Sequence, residues 1–117
     1  MKISIVTIVY NDKNNIEETL KCVLNQSARA DIEYIVVDGY STDGTSDIIS
    51  EYRDKIDKHI REKDRGIYEA MNKGLRLATG DYILFLNSGD MLSSPSIIGD
   101  VIECINKADH HSARAFL

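Results

Sequence analysis

The sequence is poor in cysteine, in long apolar runs and in excess positive charge, and each shortage removes a class of function. Its two cysteines, Cys22 and Cys104, match no metal-ligand or redox spacing. Each falls in a helix-like apolar pattern, where a small buried hydrophobe is expected. The apolar run in Met1–Asn11 is too short for a secretory signal core, and no stretch approaches the roughly 20 apolar residues that cross a bilayer. A cytoplasmic, reducing setting is the simplest expectation, with association at the inner membrane face through a partner left open. The formal net charge of -5 argues against a broad attraction to nucleic acid. No Gly-x-Gly-x-x-Gly follows the first apolar run, which disfavours a dehydrogenase. The Gly39–Gly44 segment has the glycine spacing of a phosphate loop, but Thr45 stands where such a loop needs lysine. A phosphoacceptor domain is disfavoured because no lysine holds a suitable place at a later strand end. The 117 residues suffice for one domain and not for two.

What remains is a regular alternation. Ile3, Ile5, Val6, Ile8 and Val9 predict a strand buried on both faces. Ile16, Leu20, Val23 and Leu24 repeat at helical spacing, with Asn14 or Asn15 near the N-cap. A second strand is predicted at Tyr34–Asp38, a second helix around Ile48, Ile49 and Tyr52, and a weaker strand at Lys58–Arg61. Ile67, Met71, Leu75 and Ala78 mark one face of a third helix, stopped by Gly80. Tyr82–Leu86 is a fourth strand, and Ser94 then Pro95 suits the start of a fourth helix. The β-α-β-α-β-α-β-α order predicts an α/β fold with a mainly parallel four-stranded sheet flanked by helices. Residues 108–117 show no clear period, and the adjacent His110 and His111 need no metal to explain them.

Ligands of such sheets bind beyond the carboxyl ends of the strands, and three polar clusters fall there. Tyr10, at the end of the first, offers a ring that can stack on a nucleobase. Asp38, at the end of the second, offers a carboxylate for a base N–H or a ribose hydroxyl, while Ser41, Thr42 and Asp43 have the chemistry of helix caps. The third, Asn87-Ser88-Gly89-Asp90, opens a strand into an amide, a hydroxyl, a glycine and a carboxylate. Asp90 has the oxygen chemistry that hard divalent cations take when they bridge substrate phosphates. Arg65 has a planar fork suited to phosphate, or else to a surface ion pair with Asp64 or Glu62.

Together the segments TIVYN, IVVDGYSTDGT, DRGIYEAMNKG and GDYILFLNSGD, in that order, resemble family 2 glycosyltransferases of the GT-A fold. The resemblance covers Ile3 to about Ile105 and implies a Rossmann-like half-domain over residues 1–107, followed by a tail at 108–117 that reads as a truncation end. It implies a nucleotide-diphospho-sugar donor contacted by Tyr10, Asp38, Ser41, Arg65 and Asn87, with Asp90 holding Mg²⁺ or Mn²⁺ on the diphosphate. It further implies inverting sugar transfer in polysaccharide biosynthesis, to a saccharide or lipid-linked acceptor. The sequence departs from the common pattern in two places. Many relatives carry two consecutive acids where this chain has Asp38-Gly39, and an Asp-x-Asp-Asp run where it has Asn87-Ser88-Gly89-Asp90. A subgroup with Asn-Ser-Gly-Asp here is linked to bacterial surface polysaccharides. In these enzymes the second half supplies the acceptor cleft and an Asp or Glu base, so no catalytic residue is assigned in this chain. A non-catalytic nucleotide-sugar module, or half of a split enzyme, is the alternative. The sheet edge at the fourth strand is expected to expose apolar surface that a partner or a second copy covers.

Overall fold

The computed structural model describes residues 1–109, so His110, His111 and the rest of residues 110–117 lie outside the described residues. Four strands, β1 (Ile3–Val9), β2 (Ile32–Asp38), β3 (Lys58–Arg61) and β4 (Tyr82–Phe85), form one parallel sheet in the order β3-β2-β1-β4. The helices are α1 (Ile16–Leu24), α2 (Thr45–Glu51), α3 (Ile67–Leu77) and α4 (Ile97–Asp109). The alternation is the predicted one. Short 3₁₀ turns at Arg29–Asp31 and Arg53–Lys55 lead into β2 and toward β3.

Strand periodicity sorts the central residues between two cores. Ile3, Ile5 and Val9 of β1, with Tyr34 and Val36 of β2, meet Ile16, Leu20 and Val23 of α1, Ile49 of α2 and Ile98 of α4. Val6, Ile35 and Val37 point the other way, toward Ala70 of α3. The chain steps from β1 to β2 to β3, then jumps back past β1 to β4. Right-handed crossovers therefore carry α1 and α2 over one face and α3 over the other.

Helix α3 departs from the expected packing. The apolar stripe Ile67, Met71 and Leu75 does not face the sheet: Ile67 and Leu75 are exposed, while Ala70, Lys73 and Gly74 are buried. The cause is close approach. A Cβ on Gly74 would lie 2.5 Å from Val6 Cγ1, so the face against β1 must be built from small residues. Lys73 is buried along its whole length, and its ammonium is satisfied there by donating to the Lys63 carbonyl at 2.8 Å and pairing with Glu62 at 3.1 Å.

Other departures are local. Helix α3 ends at Leu77, three residues before Gly80, with Ala78 already extended. Asn15 precedes α1 but makes no side-chain cap; its amide donates to Asp12 Oδ1 instead. Helix α4 begins at Ile97 and not at Pro95, whose carbonyl accepts from the Ser27 backbone and hydroxyl, and it runs on to Asp109, past residue 107. Cys22 is half-buried on α1, whereas Cys104 lies on the exposed side of α4; both are free thiols. All four residues of the edge strand β4 are partly exposed. Among the described residues no helix is long and apolar enough to cross a membrane.

Candidate functional site: a cleft and an acidic loop flanking the end of β1

Strand β1 lies between β2 and β4, so the loops that follow these three strands meet around its carboxyl end. Asn11 takes a left-handed turn there, with φ +47°, which asparagine accepts better than most side chains. Its amide donates to Ser41 Oγ at 2.9 Å, and its Oδ1 accepts from the Thr42 amide at 2.8 Å. Asp12 binds to both sides. Its amide donates to Thr45 Oγ1 at 3.0 Å, and its Oδ2 accepts from Ser88 Oγ at 2.8 Å.

On the β2 side, Asp38 is fully buried. Its Oδ1 accepts from the Ser41 amide and hydroxyl at 2.9 and 2.7 Å, its Oδ2 accepts from Ser46 Oγ, and Arg61 Nε stands 3.8 Å away. The carboxylate is thus engaged by its own loop, and Ser41 is equally sequestered, at 2% exposure. Asp43 stands one residue before Gly44, the N-cap of α2. Its Oδ1 accepts from the Thr45 amide and hydroxyl, and the hydroxyl holds its carboxyl below the ordinary range.

Tyr10 is 64% exposed and forms one wall of a cleft of about 840 Å³. Ile8, Gly39, Tyr40, Lys63, Asp64 and Ile67 are among the other lining residues. Gly39 lets the walls approach, because a Cβ there would meet Asp64 Oδ2 at 3.0 Å and the Tyr10 ring at 3.4 Å. Arg65 sits between the cleft residues Asp64 and Gly66, but its side chain is 95% exposed and its ion-pair partner is Glu69, at 4.0 Å.

On the β4 side, the Asn87–Asp90 loop closes on itself. The Asn87 amide donates to Asp90 Oδ2 at 3.1 Å, and the Asp90 amide donates back to the Asn87 carbonyl at 2.9 Å. Gly89 has φ +95°, and its amide donates to Thr19 Oγ1, which in turn donates to the Asp90 carbonyl. Asn87 Oδ1 is buried without a hydrogen-bond partner. Asp90 itself is exposed. No three His, Cys, Asp or Glu residues converge on a metal-sized site among the described residues. A cation at Asp90 would draw most of its ligands from water and from the bound molecule. That is how Mg²⁺ is usually held beside phosphates, so the single carboxylate fits such an ion.

Five of the six sequence-derived positions therefore ring the end of β1, either in the cleft wall or in the loops that frame it, and Arg65 extends into solvent beside it. Pattern reading passed over Gly39 and Tyr40 as site formers, and Lys63, Asp64 and Ile67 as cleft walls. The available signal was an aromatic residue in the turn-rich Gly39–Gly44 segment at a strand end.

The arrangement matches known proteins. The chain is 36% identical over 104 residues to an uncharacterized glycosyltransferase of Mycobacterium tuberculosis, covering 89% of this chain and 40% of that protein. It is 44% identical over 92 residues to the putative teichuronic acid biosynthesis glycosyltransferase TuaG of Bacillus subtilis, covering 75% and 36% of the two chains. Among solved structures, S. aureus TarS 1–349 in complex with UDP-GlcNAc superimposes with a TM-score of 0.83 at 28% identity, over 93% of this chain and 32% of that one. The chain thus spans about 40% or less of the length of these proteins. The model of the family described as glycosyl transferase family 2 matches residues 4–113, nearly the whole sequence, and the chain belongs to that family.

Proposed function

We propose that this chain binds a nucleotide-diphospho-sugar donor, with a divalent cation at Asp90, for inverting sugar transfer in polysaccharide biosynthesis. The observation that carries the reading is the pairing of an apolar, Tyr10-walled cleft with an exposed carboxylate across the end of one strand. A nucleoside has the mixed character of that cleft, flat and apolar on its faces and polar at its edges. The UDP-GlcNAc bound by TarS supports the same donor class. The name of TuaG supports a cell-surface polysaccharide as the product class, and a saccharide or lipid-linked acceptor at the cytoplasmic face of the membrane follows from it.

In this reading Tyr10 stacks on the base, and Asp38 and Ser41 shape the β2 loop or exchange one of their contacts for a base or ribose group. Asn87 offers its unpaired amide oxygen to the donor, and Arg65 swings its guanidinium toward phosphate oxygens. Bound at Asp90, Mg²⁺ or Mn²⁺ would supply positive charge to the departing diphosphate. Asp64 is the carboxylate among the cleft-lining residues, and its Oδ1 already accepts from the Gly66 amide, so no base is assigned. Donor binding without transfer is therefore the second reading.

Isothermal titration of the chain with UDP and GDP, with and without Mn²⁺, tests the donor site. Asp90→Asn is expected to remove the metal-dependent part of the affinity. Loss of an outer partner already costs about 10- to 100-fold, and loss of a direct ligand should cost no less. Failure of the wild type to bind either nucleotide with any divalent cation refutes the reading. Transfer of labelled sugar then separates enzyme from module.

A further inference from the structure

Tyr40 is an unusual occupant of its position. Its φ of +73° lies in the left-handed region, which glycine and asparagine enter readily and a bulky aromatic does not. The ring is nevertheless held in place by two cations. The Arg61 guanidinium lies 4.0 Å from its centroid and the Lys63 ammonium 5.9 Å. Arg61 is itself fixed, donating to Ser46 Oγ at 2.9 Å and to the Ser41 carbonyl at 3.2 Å. With that support the ring remains 42% exposed and forms part of the cleft wall. Core packing does not account for such a residue, since the ring is not buried and glycine would suit the backbone better. Strain held by surrounding contacts, in the wall of a cleft, is instead a mark of a binding role.

We propose that Tyr40 is a second stacking surface for the base of a nucleoside diphosphate, acting together with Tyr10. The assignment rests on the donor-site reading above and deepens it. Gly39 leaves bare backbone between the two tyrosines, and Tyr10 packs closely enough over it that a Cβ would touch the ring. A flat heterocycle entering this space meets two exposed aromatic residues and the apolar side chains of Ile8 and Ile67. Stacking of this kind tolerates different bases, so Tyr40 sets how tightly the base is held more than which base is chosen.

The test compares the full 117-residue chain with its Tyr40→Gly, Tyr40→Asn and Tyr40→Phe variants, by titration with UDP and GDP in Mn²⁺ and by thermal melts. Glycine and asparagine both accept the left-handed backbone, so these variants are expected to melt within a few degrees of the wild type. They should bind both nucleotides at least about fivefold more weakly, the low end of what one lost base–aromatic stack costs. Tyr40→Phe keeps the ring and should bind within about twofold of wild type. If the wild type binds and the Gly and Asn variants match it, the role of Tyr40 is overturned while the donor site stands. A loss of affinity that only tracks a lowered melting temperature also overturns it, by assigning the ring to the fold. If the wild type binds neither nucleotide, the donor-site reading falls, and this assignment with it.

Discussion

Replacing Glu33 by glutamine should remove a tie that joins three strands to the turn after α3. Glu33 lies on β2 with its side chain 11% exposed. Its Oε1 accepts from Ser4 Oγ of β1 and from the Thr79 amide, both at 2.8 Å, and its Oε2 accepts from Thr79 Oγ1 at 2.7 Å. Lys58 of β3 stands 3.1 Å from Oε2. Burial alone would raise the carboxyl pKa, but hydrogen bonds from Thr79, Ser4 and Lys58 outweigh it and bring the group from 4.5 down to about 2. A folded-state pKa below the unfolded one adds stability above pH 4.5, which is lost as the pH falls toward 2. At about 1.4 kcal/mol per unit the shift corresponds to about 3 kcal/mol, and Lys58, one third exposed, is partly screened by solvent, which trims the figure to about 2–3 kcal/mol. Glutamine keeps the shape but turns an amide N–H₂ toward donors. Urea unfolding of wild type and Glu33→Gln at a series of pH values should show the full difference at pH 7. The gap should narrow through the acid range and close near pH 2. A variant within about 0.5 kcal/mol of wild type at pH 7, or one with the same acid profile, refutes the reasoning.

Gly80→Ala is expected to cost about 1–3 kcal/mol, because its Cβ would lie 2.6 Å from Ser4 Oγ and 2.8–2.9 Å from the backbone of Ser4 and Lys2; thermal melts check it, and an unchanged midpoint counts against the packing described. The partly exposed edge strand β4 should make the 117-residue chain bind a hydrophobic dye or self-associate. A clean monomer by light scattering with no dye response rules this out.

The sheet and its helices were legible because periodicity reports burial directly. The alternation of Ile3, Ile5 and Val9 with Val6 assigns each residue to its core without knowledge of the partner helix. Helix α3 was misread for a related reason. Pattern reading takes the largest apolar residues as the inward face, yet Gly74 packs against Val6 so closely that only small side chains fit. At the site, strand-end position correctly gathered Tyr10, Asp38 and the Asn87–Asp90 loop around β1. It did not show that Asp38 is enclosed by Ser41 and Ser46, nor that Arg61 backs the Tyr40 ring. Those facts depend on the left-handed backbone at Tyr40 and on side-chain geometry in and around the loop, which periodicity does not report.

The Asn11-Asp12 turn makes the two halves of the site one mechanical unit. Asn11 and Asp12 bond the loop after β2, and the same Asp12 carboxylate receives Ser88 from the loop after β4. Substitutions in these loops should therefore not act additively: in a double-mutant cycle, a change at Ser88 and one at Thr45 should show a coupling energy through Asp12 although neither touches the other. Any variation that reshapes the β2 side of this turn then also shifts the Asn87–Asp90 loop. The cleft and the Asn87–Asp90 loop therefore cannot be altered independently, and a change in one calls for a compensating change in the other.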